Sequence, residues 1–290
     1  MSKEWSGKSD GTPWLLNTLT RCLKYIDVRV VYGVMAIVII FYIIFGYQHS
    51  SNTYRYFRSC FGYNPFKALA KTYATYFQFG QVIMDRLAVY AGKKYKLEHN
   101  NIECERIIND SDDGVIILGS HIGNYEMTGY LLGGMKRPMN VLLYSGENAT
   151  VMQNRIEHFA KNGIKVITVD ESMNHIFAVN NALENGEIVS MHADRMLNSQ
   201  KAVKIEFFGR FANLPLGPFL VAAASGKKVV SVFVMKTRWN TYRIFCREYQ
   251  AVGNVKRAAN EMAVQYGREM EEIVRMYPTQ WYNFYDFWAY

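Results

Sequence analysis

Ser120-His121-Ile122-Gly123-Asn124-Tyr125-Glu126 sets an imidazole and a carboxylate five residues apart, directly after the apolar run Val115–Gly119. A histidine held at the exposed end of a buried strand can take a proton from a hydroxyl or an amine, and a nearby carboxylate can orient it. Gly123 and Asn124 open a helix-like run over 124–135, and the free N–H groups and dipole of such a helix start favour negative charge. His121 as base, Glu126 as its orienting partner and anion-stabilising amides at Gly123 and Asn124 are together the parts needed for acyl transfer. The plainer alternative is a strand end whose polar residues merely cap the next helix. No GxSxG elbow occurs and no cysteine lies nearby, so direct attack of an acceptor on a thioester is simpler chemistry than a covalent acyl-enzyme.

Asp194 and Arg195 follow a second strand-like run, Glu187–His192, and so can reach the same rim as His121. Arg195 there can hold a phosphate, with Asp194 fixing it by a charge-assisted bond. A structural salt bridge is the equal alternative. His192 reads either as a second catalytic histidine or as a structural one. His49, His99, His158 and His175 are scattered singly, so neither a metal site nor a cofactor is expected.

These residues need a scaffold to hold them. From Gly114 onward strand-like runs alternate with helix-like ones: 115–119, 140–144, 165–169, 187–192, 203–208, 229–235 and 242–246 as strands, with helices at 124–135, 151–162 and 173–185 between them. Glycines 163 and 186 sit where helix ends favour a left-handed residue. The pattern predicts an α/β fold with a mostly parallel sheet flanked by helices. A further helix spans 254–277, and a very aromatic tail follows it at 281–288.

Residues 1–27 read as a polar tail, 28–47 as an N-terminal membrane-associated helix, and 48–290 as a single α/β domain. Val30–Gly46 carries no charge, and at ~1.5 Å per residue it sits at the short limit for crossing a bilayer. A core helix passes the same test. The three- and four-residue spacing of apolar residues over 64–93 predicts a long amphipathic helix, packed on the sheet or lying along a membrane. The formal charge of +8, from 33 Lys and Arg against 25 Asp and Glu, suits an anionic membrane or an acidic protein. With no RNA-recognition alternation and no zinc-finger spacing, nucleic acid ranks last. Four dispersed cysteines without a CxxC read as reduced thiols.

His121-Ile-Gly-Asn-Tyr-Glu126 resembles the HX4D/E signature of the lysophospholipid acyltransferase superfamily. The surrounding blocks resemble its late, or secondary, lipid A biosynthesis acyltransferases: His192-Ala-Asp194-Arg195, then Phe207-Phe208-Gly209 with Pro215-Leu-Gly217-Pro218, then the tryptophan-containing tail. The resemblance spans roughly residues 20–290. It implies a fatty acyl chain moved from an acyl-carrier-protein or CoA thioester to a hydroxyl or amine of a lipid or envelope metabolite. It also implies residence at the bacterial inner membrane, with the catalytic domain on the cytoplasmic face. The Pro-Glu-Gly-Thr-Arg phosphate block of the glycerol-phosphate branch is absent, which counts against a glycerophospholipid acceptor. Two further alternatives are a catalytically silent, membrane-anchored binder of acyl carrier protein and an acyl-thioester hydrolase.

Overall fold

The computed structural model describes residues 13–45, 47–98, 101–110, 112–131, 137–144, 149–169, 174–196 and 201–288. Four helices lead: α1 (Pro13–Leu23), α2 (Val28–Phe45), α3 (Tyr47–Phe61) and α4 (Pro65–Tyr90). They are followed by β1 (Lys96–Leu97), α5 (Asn101–Asn109), β2 (Val115–Gly119), a 3-10 turn at Tyr125–Met127, and α6 (Thr128–Leu131). Next come β3 (Met139–Tyr144), α7 (Ala149–Lys161), β4 (Ile164–Val169), α8 (Asn174–Glu184) and β5 (Ile188–His192). The hairpin β6 (Ala202–Phe207) and β7 (Arg210–Pro215), α9 (Leu216–Ser225), β8 (Lys228–Arg238), β9 (Thr241–Tyr249) and α10 (Val255–Met276) complete the order.

The expected α/β architecture is present. A seven-stranded sheet runs in the order β1-β9-β8-β2-β5-β3-β4, parallel throughout except where β8 meets β9. All five residues of β2 are buried, as a central strand covered on both faces requires. One face packs under α9, α10 and the aromatic tail, and the other under α5. In the register of β2 and β5, Gly119 lies opposite His192. That register brings the two strand ends, and whatever follows them, to one rim.

The sequence pattern and the structure differ in several places; β1, α5, β7 and α9 are all additional to the expected elements. Within the segment read as a polar tail, Pro13–Leu23 is helical and buries Leu23 against α2 and α4. The helix α3 follows α2 almost at once. The helix after β2 is short, a 3-10 turn and one α turn, with the rest of the expected 124–135 run outside the described residues. The run around Phe208 is the tip of the β6–β7 hairpin, where Phe208 adopts φ 52°. His99 lies outside the described residues too.

The helix α2 is not a buried core element. Val30, Val34, Ile37, Val38, Phe41 and Ile44 are exposed, and it rests on α4 along a single stripe. There Gly80 leaves room for Met35, whose sulfur would collide with any Cβ, and Tyr73 donates to the Ala36 carbonyl at 2.8 Å. The expected long helix is α4, begun by Asn64, which accepts from Lys67 N, and by a proline in its first turn.

Candidate active site

His121 stands two residues beyond β2, and Asp194 two residues beyond β5. Parallel pairing therefore delivers both to the same point. Asp194 accepts from His121 N at 2.7 Å through one oxygen and meets His121 Nδ1 at 2.9 Å through the other. A carboxylate can only accept, so Nδ1 carries the proton and Nε2 presents its lone pair. Burial, then the charge of Arg195, hold the His121 pKa below its ordinary value, against the pull of Asp194. Burial pushes the Asp194 pKa up, but His121 and Arg195 outweigh it and the net shift is downward. The pair is therefore a neutral imidazole braced by an ionised carboxylate, the state a general base needs.

Glu126 does not make the contact with His121 that the motif spacing predicts. Its Oε1 lies 2.6 Å from Arg86 Nη1 on α4 and 3.1 Å from Arg155 Nη2 on α7. The short helical turn after Asn124 aims Glu126 away from the imidazole and between these two guanidiniums. Burial raises its pKa, but Arg155 and Arg86 outweigh that and keep it ionised. Its Oε2 is buried without a hydrogen bond among the described residues. Arg86, on the helix expected either to pack on the sheet or to lie along a membrane, and Arg155, on the helix expected at 151–162, thus meet at Glu126 beside the His121 loop. The signal for both was weak: an arginine on an amphipathic helix is ordinarily solvated.

The amides expected to stabilise an anion are occupied. Gly123 N donates to Gln280 O at 2.8 Å and Asn124 N to Val234 O at 2.7 Å. Gly123 sits at φ +65° with Val234 O where a Cβ would lie, so glycine is needed there for close approach to β8. The Asn124 side chain donates to Tyr242 OH at 2.9 Å and is fully buried. Both residues shape the loop that carries His121. The Arg195 guanidinium donates to Tyr282 O at 3.3 Å and lies 5.6 Å from the Tyr285 ring. His192 faces His121 with ring centroids 4.6 Å apart, and Tyr125 touches both rings edge-on. Burial, then the charge of His121, lower the His192 pKa well below its ordinary value. Among the described residues no group of His, Cys, Asp and Glu could hold a metal ion.

The tail clamps this loop from outside. Ile122 bridges to Trp281, and the Gln280 side chain brackets Lys236 on β8, accepting from its N–H at 2.9 Å and donating to its C=O at 2.8 Å. A sequence model of the family described as bacterial lipid A biosynthesis acyltransferase matches residues 8–289. The chain belongs to that family. A search of curated proteins gave no match. Members of this family are acyltransferases that act on lipid-like acceptors.

Proposed function

We propose that this acyltransferase is membrane-associated. In this reading it moves a fatty acyl chain from an acyl-carrier-protein or CoA thioester to a hydroxyl or amine of a lipid acceptor, with His121 as general base. The observation that carries it is the His121–Asp194 pair, with Nδ1 committed to the carboxylate and Nε2 left basic. Nε2 takes the acceptor proton as the acceptor oxygen or nitrogen attacks the thioester carbonyl carbon. Asp194 steadies the imidazolium that forms, and collapse of the tetrahedral intermediate breaks the C–S bond. The leaving thiolate then recovers the proton from His121. This assigns to Asp194 the orienting role that the sequence pattern gave to Glu126.

Glu126, held between Arg86 and Arg155, fixes two guanidiniums beside the reacting groups. They supply positive charge for the carbonyl oxygen or for a phosphate of either substrate. Gly123 and Asn124 act by holding the loop, and Arg195 by its charge beside the pair. The apolar outer face of α2 supports attachment to a membrane, as does the family; in this reading the location is the bacterial inner membrane, with this rim on the cytoplasmic face. The test is product analysis from an acyl-carrier-protein thioester, with and without bacterial lipid extract. Acyl-lipid formation that needs both supports transfer. Free fatty acid alone indicates a hydrolase, and binding without turnover indicates a silent carrier-binding protein.

A further inference from the structure

A second cleft, of about 430 Å³, lies away from His121 between α3, the β6–β7 hairpin and the tail. Arg55, Arg58 and Arg210 line it together with the single carboxylate of Asp286. Among the described residues none of the three arginines forms an ion pair. Asp286 accepts instead from the Trp288 backbone N–H at 3.2 Å. The Arg210 guanidinium lies 4.5 Å from the Trp288 ring, and such stacking fixes its plane at the wall. At the base of the cleft is Asn283, only 5% exposed, whose Oδ1 has no hydrogen-bond partner among the described residues. Buried amide oxygens are ordinarily satisfied, and one that is not awaits a donor. Arg58 Nη1 donates to the Tyr63 carbonyl at 2.5 Å, which holds that guanidinium at the rim. Three guanidiniums against one carboxylate leave the cleft a positive excess, and with the buried acceptor they specify an oxyanion that carries a neighbouring hydroxyl.

The position of the cleft suggests where such a group comes from. The residues Asn52, Arg55 and Ser59 recur on one face of α3, and Asn52 is only about 8 Å of helix from the start of α3, which begins two residues after the end of apolar α2. That is the depth of a lipid headgroup if α2 enters a bilayer. The opposite side of the same tail reaches the catalytic loop, through the Ile122–Trp281 bridge and the Arg195–Tyr282 hydrogen bond. We propose that this cleft binds the phosphate-bearing polyol headgroup of an anionic membrane lipid, with the phosphate on Arg55, Arg58 and Arg210 and a hydroxyl on Asn283. The lipid half of the proposal rests on the membrane reading of α2; the oxyanion half does not. A lipid seated there orders the tail that walls the His121 rim. An acidic carrier protein would need a broad basic surface, and a concave cleft with aromatic walls fits a headgroup better.

The test is calorimetric titration of the full chain in neutral maltoside micelles with three probes: dihexanoyl phosphatidylglycerol, dihexanoyl phosphatidylcholine and inorganic phosphate. Phosphatidylglycerol is expected to bind at least about tenfold more tightly than phosphatidylcholine and than phosphate, as one or two charge-assisted hydrogen bonds would give. Arg55→Gln/Arg210→Gln should lose that margin, whereas Arg55→Lys, which keeps the charge, should retain most of it. Asn283→Leu should weaken phosphatidylglycerol while leaving phosphate unchanged. Arg55 and Arg210 are exposed, so these variants should melt like the parent. Equal affinity for the two lipids, or indifference to the double substitution, overturns the site. Inorganic phosphate binding as tightly as phosphatidylglycerol overturns the headgroup. Displacement of the lipid by an acyl carrier protein, lost in the double variant, reassigns the cleft to carrier docking. His121→Ala should bind all three probes as the parent does, so binding here and turnover at the rim succeed or fail separately.

Discussion

A base that works at neutral pH must be unprotonated there, and burial gives His121 that state. Its pKa lies below the roughly 6.5 of an ordinary histidine, so the acid limb of kcat/KM should fall below that value. Asp194 attracts the protonated ring and raises its pKa. Asp194→Asn should therefore move the limb to still lower pH while cutting kcat/KM roughly 10²–10⁴-fold, and His121→Ala should cost at least as much. A limb that moves upward in Asp194→Asn would show that Asp194 does not face the titrating base. Glu126→Gln should behave differently. It strips the shared carboxylate from two mostly buried arginines, so it should lower the melting temperature as well as the rate, with the stability loss on the order of 3 kcal/mol. The acid limb of Glu126→Gln should stay near that of the parent, because Glu126 does not hydrogen-bond the imidazole. Activity profiles and thermal melts of the two variants, measured side by side, separate an orienting carboxylate from one that organises arginines.

At the scale of elements, the sheet was legible because apolar runs such as Val115–Gly119 alternate with helices closed by glycines such as Gly163 and Gly186, and β2 appears with the bounds its sequence suggests. Asp194 could be placed at the rim but not beside His121, since strand order decides that and nothing local to either segment encodes it. The arginine partners of Glu126 were hidden for a related reason: the turn after Asn124 is set by Gly123 approaching β8, a long-range contact. Likewise Asp85, near the C-terminal end of amphipathic α4, gives no local sign of its partners. It is fully buried and receives hydrogen bonds from Tyr32 on α2, Tyr95, Tyr242 on β9 and the Lys236 ammonium on β8. Burial lowers the Lys236 pKa. Asp85→Ala should therefore leave a buried cation unpaired, destabilise the fold by roughly 3–5 kcal/mol, and loosen α2 from the sheet. Because α2 is tied in this way, deleting it would expose α4 and confuse anchoring with folding. The cleaner change is Val34→Ser, Ile37→Ser, Phe41→Ser and Ile44→Ser together, all on the exposed face. That variant should leave the membrane pellet yet melt like the parent in detergent. If it still pellets fully, α2 is not the anchor.

Across the whole molecule the charge of +8 acts at long range, on the encounter with the donor rather than on the reaction. Acyl carrier proteins are acidic, and a basic surface speeds association with an acidic partner in a salt-dependent way. The arginines of the site do not contribute equally. Arg86 and Arg155 are neutralised in part by Glu126 and shielded by burial, so salt should reach them little. Exposed arginines such as Arg55, Arg58 and Arg210 are screened beyond a Debye length of ~8 Å at physiological salt. Raising salt from 50 to 300 mM should therefore raise the apparent KM for an acyl-carrier-protein donor several-fold. The KM for a short neutral thioester analogue and the kcat for either donor should barely change. The same series on Arg155→Gln should show a lower kcat with the salt slope unchanged, since its charge works inside the site. Equal salt dependence for the charged and neutral donors would mean that the basic surface serves the membrane alone, and a CoA thioester would then be as suitable a donor as a carrier protein.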